Sequence, residues 1–117
     1  MSIFKSYNRE DRPWGNFERF TFNEPSTVKI ITMLPGQSLS LQQHEHRDEE
    51  WKILRGGGKV TVGSKVSPVK PGDEFFVARG TQHRVEAGEE GLQFLEVAIG
   101  EFNEQDIVRF EDKYGRT

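Results

Sequence analysis

Apolar and polar residues alternate over short runs along most of this chain, and Gly, Pro or Asn punctuates each run. That period of two predicts strands rather than helices. Phe17-Glu18-Arg19-Phe20-Thr21-Phe22 alternates for part of its length, after the turn-like Arg12-Pro13-Trp14-Gly15. Val28 to Leu34 is rich in β-branched residues and lies between the turns Asn23-Glu24-Pro25-Ser26 and Pro35-Gly36-Gln37. From Leu39 to His46 the alternation returns, with Leu39 and Leu41 on one face and Ser40, Gln42, His44 and His46 on the other. Trp51 to Leu54 is a short strand that Gly56-Gly57-Gly58 is expected to end in a turn and bulge. Lys59 to Val62 and Lys65 to Ser67 form a hairpin across Gly63-Ser64. Glu74 to Val77, His83 to Glu86 and Leu92 to Ile99 are further strands, with turns at Pro71-Gly72-Asp73 and over 87–91. The segment 104–110, after Asn103, is the one helix candidate. About nine or ten short strands bounded by turn residues predict an all-β, closed or double-layered domain.

Length bounds this to one domain with one core: the chain has 117 residues. Residues 1–11 are polar with isolated aromatics and read as an N-terminal arm, disordered or laid across a neighbouring subunit. Residues 12–117 form the domain. The chain has no cysteine, which excludes disulfides, thiolate metal sites and a Cys nucleophile. No apolar run approaches the ~20 residues of a membrane span, so no membrane partner is expected. The first residues lack the apolar run of a signal peptide, which leads us to expect a cytoplasmic protein. A net charge of −3 with both signs interspersed argues against a nucleic-acid partner. The triple glycine lacks a following Lys-Ser/Thr and a helix pattern, which argues against a nucleotide-type phosphate loop.

The histidines change the picture. There are three, and two of them form His44-Glu45-His46, with Glu49 and Glu50 just beyond; the third is His83. On a strand, positions i and i+2 share a face, so His44 and His46 are expected to converge. A carboxylate and His83 from a second strand would complete a site of three nitrogens and one oxygen. Imidazole with carboxylate suits zinc, iron, manganese, cobalt or nickel better than magnesium or calcium.

These segments resemble the two motifs of the cupin superfamily. The first runs Gly36, His44-Glu45-His46, Glu49, Gly56, and the second Gly72, Ala78-Arg79-Gly80, His83. Further segments are similar to the type II mannose-6-phosphate isomerase domain. They are Arg12-Pro13-Trp14-Gly15 with Phe17-Glu18, Ser40-Leu41-Gln42, His46-Arg47, and Asp106-Ile107-Val108-Arg109 through Arg116. That likeness covers residues 12–116. The chain departs from the family pattern at Glu45, Asp48, Glu50, Lys52 and Ala87. The guanylyltransferase domain that usually precedes this one is absent from the sequence, and a stand-alone domain is expected.

The resemblance implies a cupin jelly-roll barrel with a short C-terminal helix or turn, and a homodimer. It implies a metal held by His44, His46, Glu49 and His83, with zinc the first choice and iron, manganese, cobalt or nickel the alternatives. The implied activity is aldose–ketose isomerisation of mannose 6-phosphate or a related sugar phosphate through a cis-enediol. In that scheme Gln42 orients substrate, Arg109 is the first choice to hold the phosphate, with Arg84 and Lys52 as alternatives, and Glu50 or Glu111 moves the proton. Either Glu49 or Glu50 could be the fourth ligand. Parity favours Glu49, which shares its face with Trp51 and Ile53, whereas Glu50 shares one with Lys52. Two other readings stand beside the isomerase. One is a cupin of another class, a dioxygenase or an epimerase or isomerase acting on nucleotide-linked sugars; the other is a non-catalytic metal- or carbohydrate-binding module.

Overall fold

A computed structural model describes residues 2–112, 114 and 115. Lys113 and Arg116 of the terminal motif lie outside the described residues. Nine strands are present among the described residues: β1 (Asn8–Arg12), β2 (Gly15–Arg19), β3 (Ser26–Met33), β4 (Leu41–Gln43), β5 (Arg47–Val62), β6 (Lys65–Val69), β7 (Glu74–Val77), β8 (His83–Gly100) and β9 (Val108–Glu111). All pairings are antiparallel.

The architecture follows from two long strands. β5 has 16 residues and β8 has 18, and each runs through both layers of the domain. In one layer the first half of β5 pairs with the second half of β8, flanked by β7 and β3. In the other, the second half of β5 pairs with the first half of β8, flanked by β6 and by β4 with β9.

The glycines make this possible in a way the sequence reading missed. Gly56-Gly57-Gly58 is not a hairpin turn, and residues 87–91 are not a turn either: β5 and β8 continue through both. Only the expected bulge is present: the pairing register with β8 shifts between Gly56 and Gly58. A Cβ on Gly56 would lie 2.2 Å from the Gly91 carbonyl oxygen, and one on Gly58 2.1 Å from that of Glu86. Both glycines also have positive φ, at 83° and 152°. Only glycine permits that conformation and that approach together.

Between the layers lies an apolar core of Met33, Trp51, Ile53, Val60, Val69, Val77, Val85, Leu92 and Phe94. Alternation explains the selection: Trp51 and Ile53 on β5 share a face with their cross-strand neighbours Phe75 and Phe94. The hairpin across Gly63-Ser64 forms as the sequence predicts, with Val62 opposite Lys65.

Two expectations at the ends of the chain are corrected. No helix occurs among the described residues. The segment expected to be helical instead contains β9, which pairs with β4 and satisfies that strand's otherwise unpaired backbone groups. The expected arm is shorter, because β1 begins at Asn8 and forms a separate ribbon with β2. What precedes β1 packs down: Phe4 is buried and sets its ring edge-on to Phe20 at 5.2 Å. Among the described residues no helix is long and apolar enough to cross a membrane.

Candidate metal centre

Strand parity delivers the inner carboxylate. Arg47, Glu49, Trp51 and Ile53 alternate along β5 and all four are buried. His83 opens β8 and sits in a cross-strand row with Val62 on one side and Gln42 on the other. His44 follows β4 directly. The Asp106 carboxylate accepts the backbone N–H groups of Glu45 and His46, each at 3.0 Å, and so shapes the chain after His44. The result is a buried trio, His44, Glu49 and His83, with one donor atom from each lying within 4.8 Å of the others.

Hydrogen bonding fixes which nitrogens face inward. His44 Nδ1 lies 2.7 Å from the Asp106 carbonyl oxygen, and His83 Nδ1 lies 2.9 Å from that of Thr81. A carbonyl oxygen can only accept, so both Nδ1 atoms carry protons. In each neutral ring the Nε2 lone pair is then left facing the centre. Metal-ligating histidines are commonly oriented in this way. His44 Nε2 is 3.3 Å from Glu49 Oε2, and His83 Nε2 is 3.9 Å from Glu49 Oε1. His83 Nε2 is buried and has no hydrogen-bond partner. Burial lowers the His83 pKa, against the opposing pull of Glu49, and so favours the neutral ring a metal requires. Two imidazole nitrogens and a carboxylate oxygen aimed at one point fit a divalent transition metal.

His46 is not part of this trio. The strand expected over Leu39–His46 ends at Gln43, so the shared-face argument fails one residue before it is needed. His44 is buried while His46 is exposed.

The other expected residues divide in the same way. Gln42 lies beside His83 and accepts the Ser40 hydroxyl at 2.8 Å. Arg109 on β9 is opposite Gln42, which puts Gln42 and Arg109 in the row that contains His83, and its Nε is buried without a partner. Glu50 points to the outer face of β5 and accepts the Lys5 backbone N–H at 3.0 Å, beneath the N-terminal arm. Glu111 is exposed and lies 3.7 Å from Arg84. The two carboxylates expected to move protons are therefore both away from the histidines.

Two residues at the centre escaped the sequence reading. Arg47 donates from Nε to Glu49 Oε2 at 3.0 Å, and its Nη2 lies 3.2 Å from His44 Nε2. Glu96 on β8 faces inward opposite Trp51, with its carboxyl against that of Glu49. Burial and the Glu49 charge push the Glu96 carboxyl up to about 7. Both were visible in principle. Arg47 has the parity of Glu49, Trp51 and Ile53, and Glu96 has the parity of the apolar Leu92, Phe94 and Ala98.

Comparison with known proteins supplies the family. The family model described as "Mannose-6-phosphate isomerase C-terminal" matches residues 2–112. The chain is 41% identical over 107 residues to mannose-1-phosphate guanylyltransferase of Salmonella montevideo, a match covering 90% of this chain and 23% of that protein. Among solved structures, oxalate decarboxylase from Bacillus subtilis matches with a TM-score of 0.68 and 26% identity, over 74% of this chain and 24% of that one. A cupin protein from Bacteroides fragilis matches in fold, with a TM-score of 0.59 and 20% identity over 69% of this chain and 74% of that one. The expected all-β cupin fold is therefore present. The chain spans about a quarter of the length of the curated relatives it matches. Those relatives also correct the expected activity. They are named as guanylyltransferases, which are transferases, and the reading of this chain as a mannose-6-phosphate isomerase is set aside.

Proposed function

We propose a function from one premise: this chain belongs to the mannose-6-phosphate isomerase C-terminal family. It is a metal-holding cupin domain that recognises a mannosyl phosphate, as mannose 1-phosphate or as nucleotide-linked mannose, in the service of nucleotide-sugar chemistry. The relatives' name supports the sugar and the phosphate. The observation that carries the metal is the bare, buried Nε2 of His83, aimed with His44 and Glu49 at a common point. Zinc is the first choice for two imidazoles and a carboxylate, and iron, manganese, cobalt and nickel share the preference.

The metal, when bound, supplies Lewis acidity toward sugar hydroxyl oxygens. This chain's residues do the rest. His44, Glu49 and His83 hold it, Trp51 Nε1 steadies Glu49 Oε1 at 3.0 Å, and Gln42 lies in the adjacent row to orient a sugar hydroxyl. Arg109, next in that row, offers its unpartnered Nε to the phosphate. The exposed Val28 and Ile30 on edge strand β3, with the exposed Leu34 just beyond its end, support a homodimer, which sedimentation would test.

Calorimetry with zinc-loaded protein tests the reading. One metal per chain is expected, with mannose 1-phosphate and GDP-mannose binding more tightly than mannose. Arg109→Ala is expected to remove about 1.5–3 kcal/mol of that preference, the worth of a charge-assisted hydrogen bond. Absence of stoichiometric metal, or equal affinity for mannose and its phosphate, overturns it.

A further inference from the structure

The candidate metal centre already contains a cation. His44 Nε2 and Glu49 Oε2 face each other at 3.3 Å, and each presents lone pairs. Two acceptors at that separation repel unless a positive group bridges them. Arg47 is that group. Its Nε–H reaches Glu49 Oε2 at 3.0 Å and its Nη2–H reaches His44 Nε2 at 3.2 Å. The guanidinium is only 6% exposed, donates from Nη1 to the Asn103 carbonyl at 3.3 Å and stacks on the Phe102 ring at 4.4 Å. It does not satisfy His83, whose Nε2 stays bare.

Resting on the metal reading above, we propose that Arg47 and a divalent metal compete for this site, the guanidinium acting as an internal plug that the metal must displace. The decisive point is stoichiometric. Glu49 has lone pairs to share, but an imidazole Nε2 has one. His44 Nε2 can accept from Arg47 or coordinate a metal, and cannot do both. Charge acts in the same direction, because a guanidinium touching two ligands repels a dication beside it. The plug therefore lowers metal affinity, and it keeps the buried Glu49 carboxylate paired while no metal is bound. Metal binding would in turn release a guanidinium next to Phe102 and Asn103, on the loop that also supplies the Asp106 carbonyl to His44.

The test uses the full chain and zinc alone. Calorimetry is expected to show Arg47→Gln binding zinc about ten-fold or more tightly than the unaltered protein, since the competing charge is gone. Should Arg47→Gln fail to fold, the unaltered protein decides the matter by itself. In its ¹⁵N NMR spectrum the Arg47 Nε–H signal is expected to lose its hydrogen-bonded shift as zinc is added. Equal or weaker zinc binding by Arg47→Gln, or an Nε–H signal that zinc leaves unmoved, overturns the plug. If zinc binds the unaltered protein and either of those results follows, the metal reading survives and only the plug fails. If neither protein binds zinc, both fail.

Discussion

Glu49 and Glu50 are neighbours on β5, equally buried, and they live in different chemistry. Glu49 points between the layers, where both its oxygens are engaged by Arg47, Trp51 and the two histidines. Glu50 points to the outer face, where the N-terminal arm closes over it. One of its oxygens accepts the Lys5 N–H and the other has no partner. Burial raises the Glu50 pKa, Lys5 partly opposes that, and Glu24 and Glu74 add to it. A step of one residue along a strand thus separates a carboxylate set beside a guanidinium and two imidazole nitrogens from one that fastens a segment of chain. The face decides the role, and the residue type does not.

The largest break in this comparison comes from Glu49→Ala. It leaves the Arg47 guanidinium buried without its carboxylate, at a cost of about 3–5 kcal/mol. Urea unfolding should show that loss, and zinc binding should vanish with it. Next comes Phe4→Ala, which removes the apolar anchor of the arm. Unfolding should report a loss of about 1.5–3 kcal/mol, while calorimetry should find zinc affinity unchanged, because the arm covers the other face.

A smaller effect separates the carboxylates by pH. A raised pKa means that the folded state holds the Glu50 proton more tightly than the unfolded chain does. As pH rises past the ordinary Glu value, the unfolded chain ionises first, so this residue's contribution to stability is lost through the folded pKa. Glu50→Gln should flatten that part of the stability profile measured by thermal unfolding. An unchanged slope would mean that Glu50 is not the group responsible. The smallest effect belongs to His46→Ala, which should shift stability by no more than about 0.5 kcal/mol and leave zinc binding intact.

Much of this was legible in the sequence, for identifiable reasons. Alternation gave the strands and placed Glu49 with Trp51 and Ile53, because parity is a local property of an extended chain. The Gly63-Ser64 hairpin was legible because its turn is two residues long. What was hidden depended on distant partners. The triple glycine looks like a turn until Glu86 and Gly91 are seen pressed against it from β8. His46 shares parity with His44 only if the strand continues. The Asp106 carboxylate, 60 residues further on, holds the backbone after His44, where the strand has already ended. Segment 104–110 has a helical appearance locally, and the open edge of β4 takes part of it as β9.

The central claim is that two histidines and one carboxylate hold the metal, with His46 outside the site. X-ray absorption on the zinc-loaded protein tests this most directly, since it counts the imidazoles around the ion. The account predicts two imidazoles with oxygen donors at about 2.0–2.2 Å, in the unaltered protein and equally in His46→Ala. A third imidazole that disappears in His46→Ala would contradict it.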